Sequence, residues 1–154
     1  MKLYYSPGAC SLATRISLHE AGITAEFERV DLKAGLTERG AEFAAVNPGG
    51  YVPVLVLDDG ASVIENVAVL DLISGRALTL APDGPMGRTR LVEMLSFLST
   101  EVHAAFKPFW HDATEAEKAR AGEAVAARLD IIERGMKGPY LFGPRFTVAD
   151  AYLF

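Results

Sequence analysis

The stretch Tyr4-Tyr5-Ser6-Pro7-Gly8-Ala9-Cys10-Ser11, YYSPGACS, carries the only cysteine of the chain. Before it, Lys2 to Tyr5 reads as a short apolar strand. After it, Leu12, Ile16 and Leu18, with Ala13 between them, recur at helical spacing from Ser11 to Glu20 and stop at Gly22. Pro7-Gly8 turns the chain between the two elements. Strand, turn and helix so arranged place the Cys10 sulfur at a helix N-terminus. Unpaired N–H groups and the helix dipole there favour the thiolate, so the expectation is an exposed thiol with a pKa below about 8.5. A lone cysteine otherwise fills a small apolar space, and the turn position favours chemistry.

Working outward, Phe27 to Leu32 reads as a second strand and Thr37 to Ala45 as a short helix ended by Asn47-Pro48-Gly49-Gly50. Val54 to Leu57 is a third strand, and Asp58-Asp59-Gly60 marks a hairpin into Ser62 to Ile64. From Asn66 the positions Val67, Val69, Leu70 and Ile73 return to helical spacing. The result is a small mixed sheet. A Pro/Gly-rich connector, Ala81 to Gly87, then separates this part from one without convincing strands. Arg88 to Phe106 reads as one long helix ending before Pro108, and Glu115 to Met136 as a second, with Val125, Leu129 and Ile132 on its apolar face. Thr147-Val148-Ala149-Asp150 is a capping box in its Asp form that opens a further helix. An apolar helix of about eight residues does not stand alone in water, so the chain reads as truncated relative to a longer parent.

Composition narrows the function classes. The chain has 154 residues, half of them hydrophobic, and a net charge of −5 with no Lys/Arg cluster, which argues against nucleic acid and anionic membranes as partners. No apolar run reaches the roughly 18 to 20 residues that span a bilayer, and the N-terminus has no leader pattern, so the expected location is cytoplasmic. One cysteine makes neither an internal disulfide nor a thiolate zinc site, and His19, His103 and His111 lack ligand spacing, so no metal is expected.

Two further segments carry chemical potential. Val52-Pro53 opens a strand where proline belongs at an edge or a first position. A cis bond there would present the N–H and C=O of Val52 to an extended peptide, and an ordinary trans bend is the alternative. Glu65-Asn66 begins a helix, where Asn66 can cap and the free N–H groups can hold a carboxylate.

In this order, the cysteine at the first helix, Val-Pro before the third strand and the acidic-polar pair before the next helix resemble glutathione transferases. MKLYYSPGACSLA is similar to the opening of the bacterial beta class, VNPGGYVPVL to its Val-Pro segment, FLSTEVHAAFKP to its core helix and PRFTVADAYLF to its folding motif. The resemblance implies an α/β thioredoxin-like N-terminal domain (residues 1–79), a linker (80–85) and an all-α C-terminal domain (86–154), an incomplete glutathione transferase fold in a homodimer. It implies glutathione as co-substrate, with no other cofactor, and small apolar electrophiles as partners.

Residue by residue, the resemblance makes Cys10 and His103 catalytic, with His103 facing Cys10 across a cleft; from that place a charged imidazole is expected to add to the acidity of the thiol. Val52 with Pro53 pairs with the peptide backbone of glutathione, Glu65 and Asn66 hold its γ-glutamyl end, and Ala9, Lys33, Tyr51 and Ser96 complete the glutathione side. Phe106 and Trp110 line the electrophile pocket, while Tyr5 and Ser11 are the hydroxyl rivals to Cys10. The chain departs from the beta-class pattern at Gly35, Gly49 and Tyr51, where lysines or another polar residue are usual, and at Met94-Leu95-Ser96, where a shorter hydroxyl replaces asparagine. The implied activity is conjugation of glutathione to electrophiles together with thiol-disulfide exchange through a Cys10-glutathione mixed disulfide. A non-catalytic carrier of glutathione or hydrophobic ligands is the alternative.

Overall fold

The computed structural model describes all 154 residues. Five strands form one sheet in the order β3-β2-β1-β4-β5: β1 (Lys2–Tyr5), β2 (Glu26–Asp31), β3 (Leu36–Thr37), β4 (Val54–Val56) and β5 (Ser62–Ile64). β1 runs parallel to β2 and antiparallel to β4, so the sheet is mixed, as the sequence pattern requires. The crossover from β1 to β2 is α1 (Ser11–Glu20).

Strand alternation divides the apolar residues between two cores. Leu3 and Leu55 face the larger one, where they meet Leu18 of α1 and Leu70 and Ile73 of α2 (Asn66–Arg76). Val54 and Val30 face the other side, which Phe43 covers. Phe43 explains why the expected helix over Thr37 to Ala45 does not form. Leu36–Thr37 instead pairs with β2, Gly40 turns at φ +82°, and only Phe43–Ala45 winds, as one 3-10 turn that drives its aromatic ring against the sheet. Edge pairing and burial of one ring override a weak helical pattern.

The second half is helical: α3 (Gly87–Phe97), α4 (Lys107–Trp110), α5 (Glu115–Gly135) and α6 (Val148–Leu153). The long helix expected to end before Pro108 departs from that reading twice. From Leu98 to His103 it widens into a π-helical segment. After a turn it resumes as α4 with Pro108 in its first turn, where the missing N–H costs nothing because that group has no intrahelical acceptor. Leu91, Leu95, Leu98 and Val148 join Leu3, Leu18 and Leu70 in one continuous core.

Two local devices brace the helical half. Thr147 and Asp150 form the expected capping box, and the Asp150 carboxylate also accepts from the Leu141 N–H at 2.8 Å, which ties the preceding loop to α6. Gly87, at the start of α3, is buried against the connector so closely that a side chain there would collide with the Pro82 carbonyl. α6 packs across α1 and α2, carrying its side chains to the helix that begins after Cys10.

Candidate active site

Cys10 is the N-cap of α1 and is half-buried. Its Sγ donates to the Val52 carbonyl at 3.5 Å. Burial pushes the thiol pKa up and the Glu65 charge adds to this; the backbone N–H groups of Cys10 and Ser11 act in the expected opposite direction without prevailing. The expectation of an exposed, acidic thiol is therefore corrected. The helix start supplies its donors, but desolvation outweighs them.

Neither hydroxyl rival is on the wall of the cleft beside Cys10. Ser11 is fully buried and closes the Ser6 turn, accepting from the Ser6 N–H at 3.1 Å and donating to the Ser6 carbonyl at 3.3 Å. Tyr5 lies under the Arg15 guanidinium, 4.3 Å from its ring centre, and packs on Phe27.

Val52 and Pro53 are buried and their peptide bond is cis. The Val52 carbonyl takes the Cys10 thiol, while its N–H has no protein partner. Asn47 braces this loop, a role that its reading as a helix stop did not reveal. Its Nδ2 donates to the Tyr51 carbonyl at 2.9 Å and its Oδ1 accepts from the Gly49 N–H at 3.0 Å. The Tyr51 side chain itself is largely exposed.

At α2 the expected cap is displaced by one residue. Glu65 is the N-cap, with φ +70°, the one non-glycine residue of the chain with a positive φ. Such a backbone costs about 1–3 kcal/mol and persists only where its surroundings hold it. It leaves the Glu65 side chain exposed at the helix mouth and turns Asn66 inward, where Oδ1 accepts from Thr14 at 3.0 Å and the buried Nδ2 has no well-formed bond. The first N–H groups of α2 remain free, as at any helix start.

Beside Cys10 opens a cleft of about 310 Å³, within the range of small-ligand sites. Ala9, Cys10, His103, Phe106, Trp110 and Tyr152 are on its walls, so thiol, histidine and both aromatic residues named from sequence come together. The π segment ends at His103 and so delivers it to this cleft, a frequent use of such widenings. The His103 ring lies 4.7 Å from that of Trp110, and Phe106 stacks on Trp110 at 6.1 Å. Burial and the Lys107 charge hold the His103 pKa down, so it is neutral at pH 7 and does not supply the positive charge expected for Cys10.

The remaining sites lie further out. Lys33 is exposed on the loop after β2 and shares a shallow groove with Ser6 and Pro7, on the outer side of the Cys10 turn. Ser96 is exposed on α3 and is not on the cleft wall. Tyr152 escaped the sequence reading because it stood among the apolar residues of a helix start. A larger groove of about 500 Å³ between α3 and α5 contains neither Cys10 nor His103.

A mixed sheet with a thiol at its first helix, a cis-proline edge and a free helix N-terminus beside an apolar cleft defines a thioredoxin-like protein of the thiol-and-peptide-binding kind. Residues 8–73 match the glutathione S-transferase N-terminal domain family. Glutathione S-transferase GstA of Escherichia coli O157:H7 is 40% identical over 160 residues, spanning 100% of this chain and 79% of its own. Among solved structures, a glutathione transferase from Methylococcus capsulatus superposes with a TM-score of 0.91 at 47% identity, covering 99% of this chain and 78% of its own. A sphingomonad glutathione S-transferase complexed with glutathione does so at 0.90 and 43% identity, with 99% and 79% covered. The chain belongs to the glutathione S-transferase family.

Proposed function

We propose that the protein is a beta-class enzyme that conjugates glutathione to small apolar electrophiles and exchanges disulfides at Cys10. The observation that carries this is the meeting of Cys10 and Val52, a thiol held against a buried peptide whose N–H is unpaired. An extended tripeptide pairs with such an edge as an added strand. Its α-carboxylate suits the free N–H groups of α2 and its α-ammonium the exposed Glu65 carboxylate, while Lys33 and Tyr51 border its glycyl end. That arrangement sets the glutathione sulfur beside Cys10, with Phe106 and Trp110 offering an apolar face to the electrophile.

Exchange proceeds by attack of the Cys10 thiolate on one sulfur of oxidised glutathione. A Cys10–glutathione disulfide forms, the original disulfide breaks, and the second glutathione leaves as thiolate. In this reading residues 1–79 carry the glutathione side and 86–154 the helical side, joined by 80–85, and the enzyme works as a cytoplasmic homodimer, where the lone thiol stays reduced. Sedimentation at micromolar concentration measures the dimer.

Intact-mass analysis after incubation with oxidised glutathione tests the site, with a single adduct on Cys10 as the expected result. A dinitrohalobenzene assay tests conjugation. Retention on glutathione resin without adduct or turnover would replace the enzyme by the carrier.

A further inference from the structure

The start of α2 is not held by its own residues. Glu65, its N-cap, has φ +70°, and the Glu65 side chain makes no capping bond. The N–H groups of Asn66, Val67 and Ala68 therefore have neither a cap nor an acceptor within the helix. A backbone of this kind keeps its place only where its surroundings fix it. On one side β5 does so, because its last residue, Ile64, pairs with Val54. On the other side the polar anchor is a buried hydrogen bond between helices, in which the Thr14 hydroxyl of α1 donates to Asn66 Oδ1 at 3.0 Å. Thr14 is wholly enclosed and Asn66 is 6% exposed.

This bond is a poor device for stability alone. It takes two polar groups out of water and leaves Asn66 Nδ2 without a partner, where two apolar residues of the same shape would pack at no such cost. What it supplies is direction. The hydroxyl fixes which atom of the amide faces α1, and with it the place of the first residue of α2. Thr14 lies one turn after Cys10 on the same face of α1, about 6 Å along the axis. One helix thus carries the thiol and, through Asn66, sets the register of the free N–H groups of the next.

We propose that Thr14 is a positioning residue, which through Asn66 fixes the first turn of α2 so that the enzyme selects peptides with a free α-carboxylate on a γ-glutamyl end. Thr14 is enclosed and the Asn66 side chain is turned inward, so the pair acts on the peptide through the α2 backbone. The proposal rests on the glutathione reading of the site.

The experiment is calorimetric titration under reducing conditions with two peptides, glutathione and γ-aminobutyryl-cysteinylglycine, which is the same tripeptide without the α-carboxylate. Wild type prefers glutathione. Thr14→Val keeps the shape and removes the hydroxyl, and its affinity for glutathione falls about tenfold while that for the second peptide is unchanged. Thr14→Ser restores the hydroxyl and most of the preference. Circular dichroism establishes folding; if Thr14→Val is unfolded, Asn66→Ala, which removes the bond from the other end, decides. An unchanged preference in the variant overturns the proposal, as does an equal loss for both peptides, which is general damage to the fold. A wild type that binds both peptides alike also overturns it, while leaving glutathione as the ligand. A wild type that binds neither overturns the glutathione reading and the role of Thr14 within it.

Discussion

Cys10 and Val52 stand 42 positions apart in the chain and meet through a hydrogen bond from Sγ to the carbonyl at 3.5 Å. The bond exists only while the sulfur holds its proton. Ionisation therefore frees the peptide edge at the moment it creates the nucleophile, so the charge on Cys10 and the hydrogen bonding of Val52 change together.

Burial and Glu65 raise the thiol, so the thiolate fraction at neutral pH is below that of an unperturbed cysteine. Alkylation of wild-type Cys10 below pH 8 should be slower than that of a small free thiol. Glu65→Gln removes the repelling charge and lowers the thiol pKa, so alkylation at pH 7.5 rises about two- to threefold at low ionic strength. Glu65 is exposed, and about 0.5 M salt should erase most of this gain. Equal rates for the two proteins at low salt would remove Glu65 from the electrostatics of the site.

His103 has a lower pKa folded than unfolded, because burial and Lys107 disfavour the imidazolium. Between those two pKa values the unfolded chain binds more protons, so stability is fully present above the ordinary histidine pKa and falls as pH drops through it. Denaturant titrations between pH 5 and 7.5 should show a smaller loss in His103→Gln than in wild type. Parallel losses would mean that the imidazole titrates alike in both states.

Asn47 holds the loop that presents Val52 through one donor and one acceptor bond. Asn47→Ala should weaken glutathione binding about tenfold, which is about 1.4 kcal/mol, with a small change in melting temperature. Calorimetric titration measures the first and scanning calorimetry the second. An unchanged dissociation constant would show that Val52 is positioned by the sheet alone.

Asp150 joins two backbone N–H groups, those of Thr147 and Leu141. Asp150→Ala should cost about 2 kcal/mol of stability, read from the denaturation midpoint, and Asp150→Asn about half of that. A loss below about 0.5 kcal/mol would reduce the box to a surface cap.

Where a local rule acts alone, the sequence predicted the structure closely. The Asp58-Asp59-Gly60 hairpin, the Thr147–Asp150 box and the strand-turn-helix around Cys10 are all present, because turn chemistry and capping need only neighbouring residues. The segment over Thr37 to Ala45 was misread because its structure depends on a partner strand and on a pocket for Phe43 that no local pattern contains. The cleft itself was legible in its members, Cys10, His103, Phe106 and Trp110, through family order. Its electrostatics were not, since the thiol and imidazole pKa values follow from desolvation, and burial depth is set by helices far along the chain. Asn66 shows the same limit: a one-residue shift of the helix start turned a surface cap into a buried amide.

The absent side chain at Gly87 has a mechanical meaning. A Pro/Gly-rich connector suggests slack, yet here the Pro82 carbonyl fills the space that any larger residue would need, and the backbone of the connector bears directly on the start of α3. The connector thus works as a shim under the first turn of α3. That helix runs on into the π segment that ends at His103, on the wall of the Cys10 cleft. A methyl group at position 87 would have to push the connector away from the foot of the helix run that carries His103.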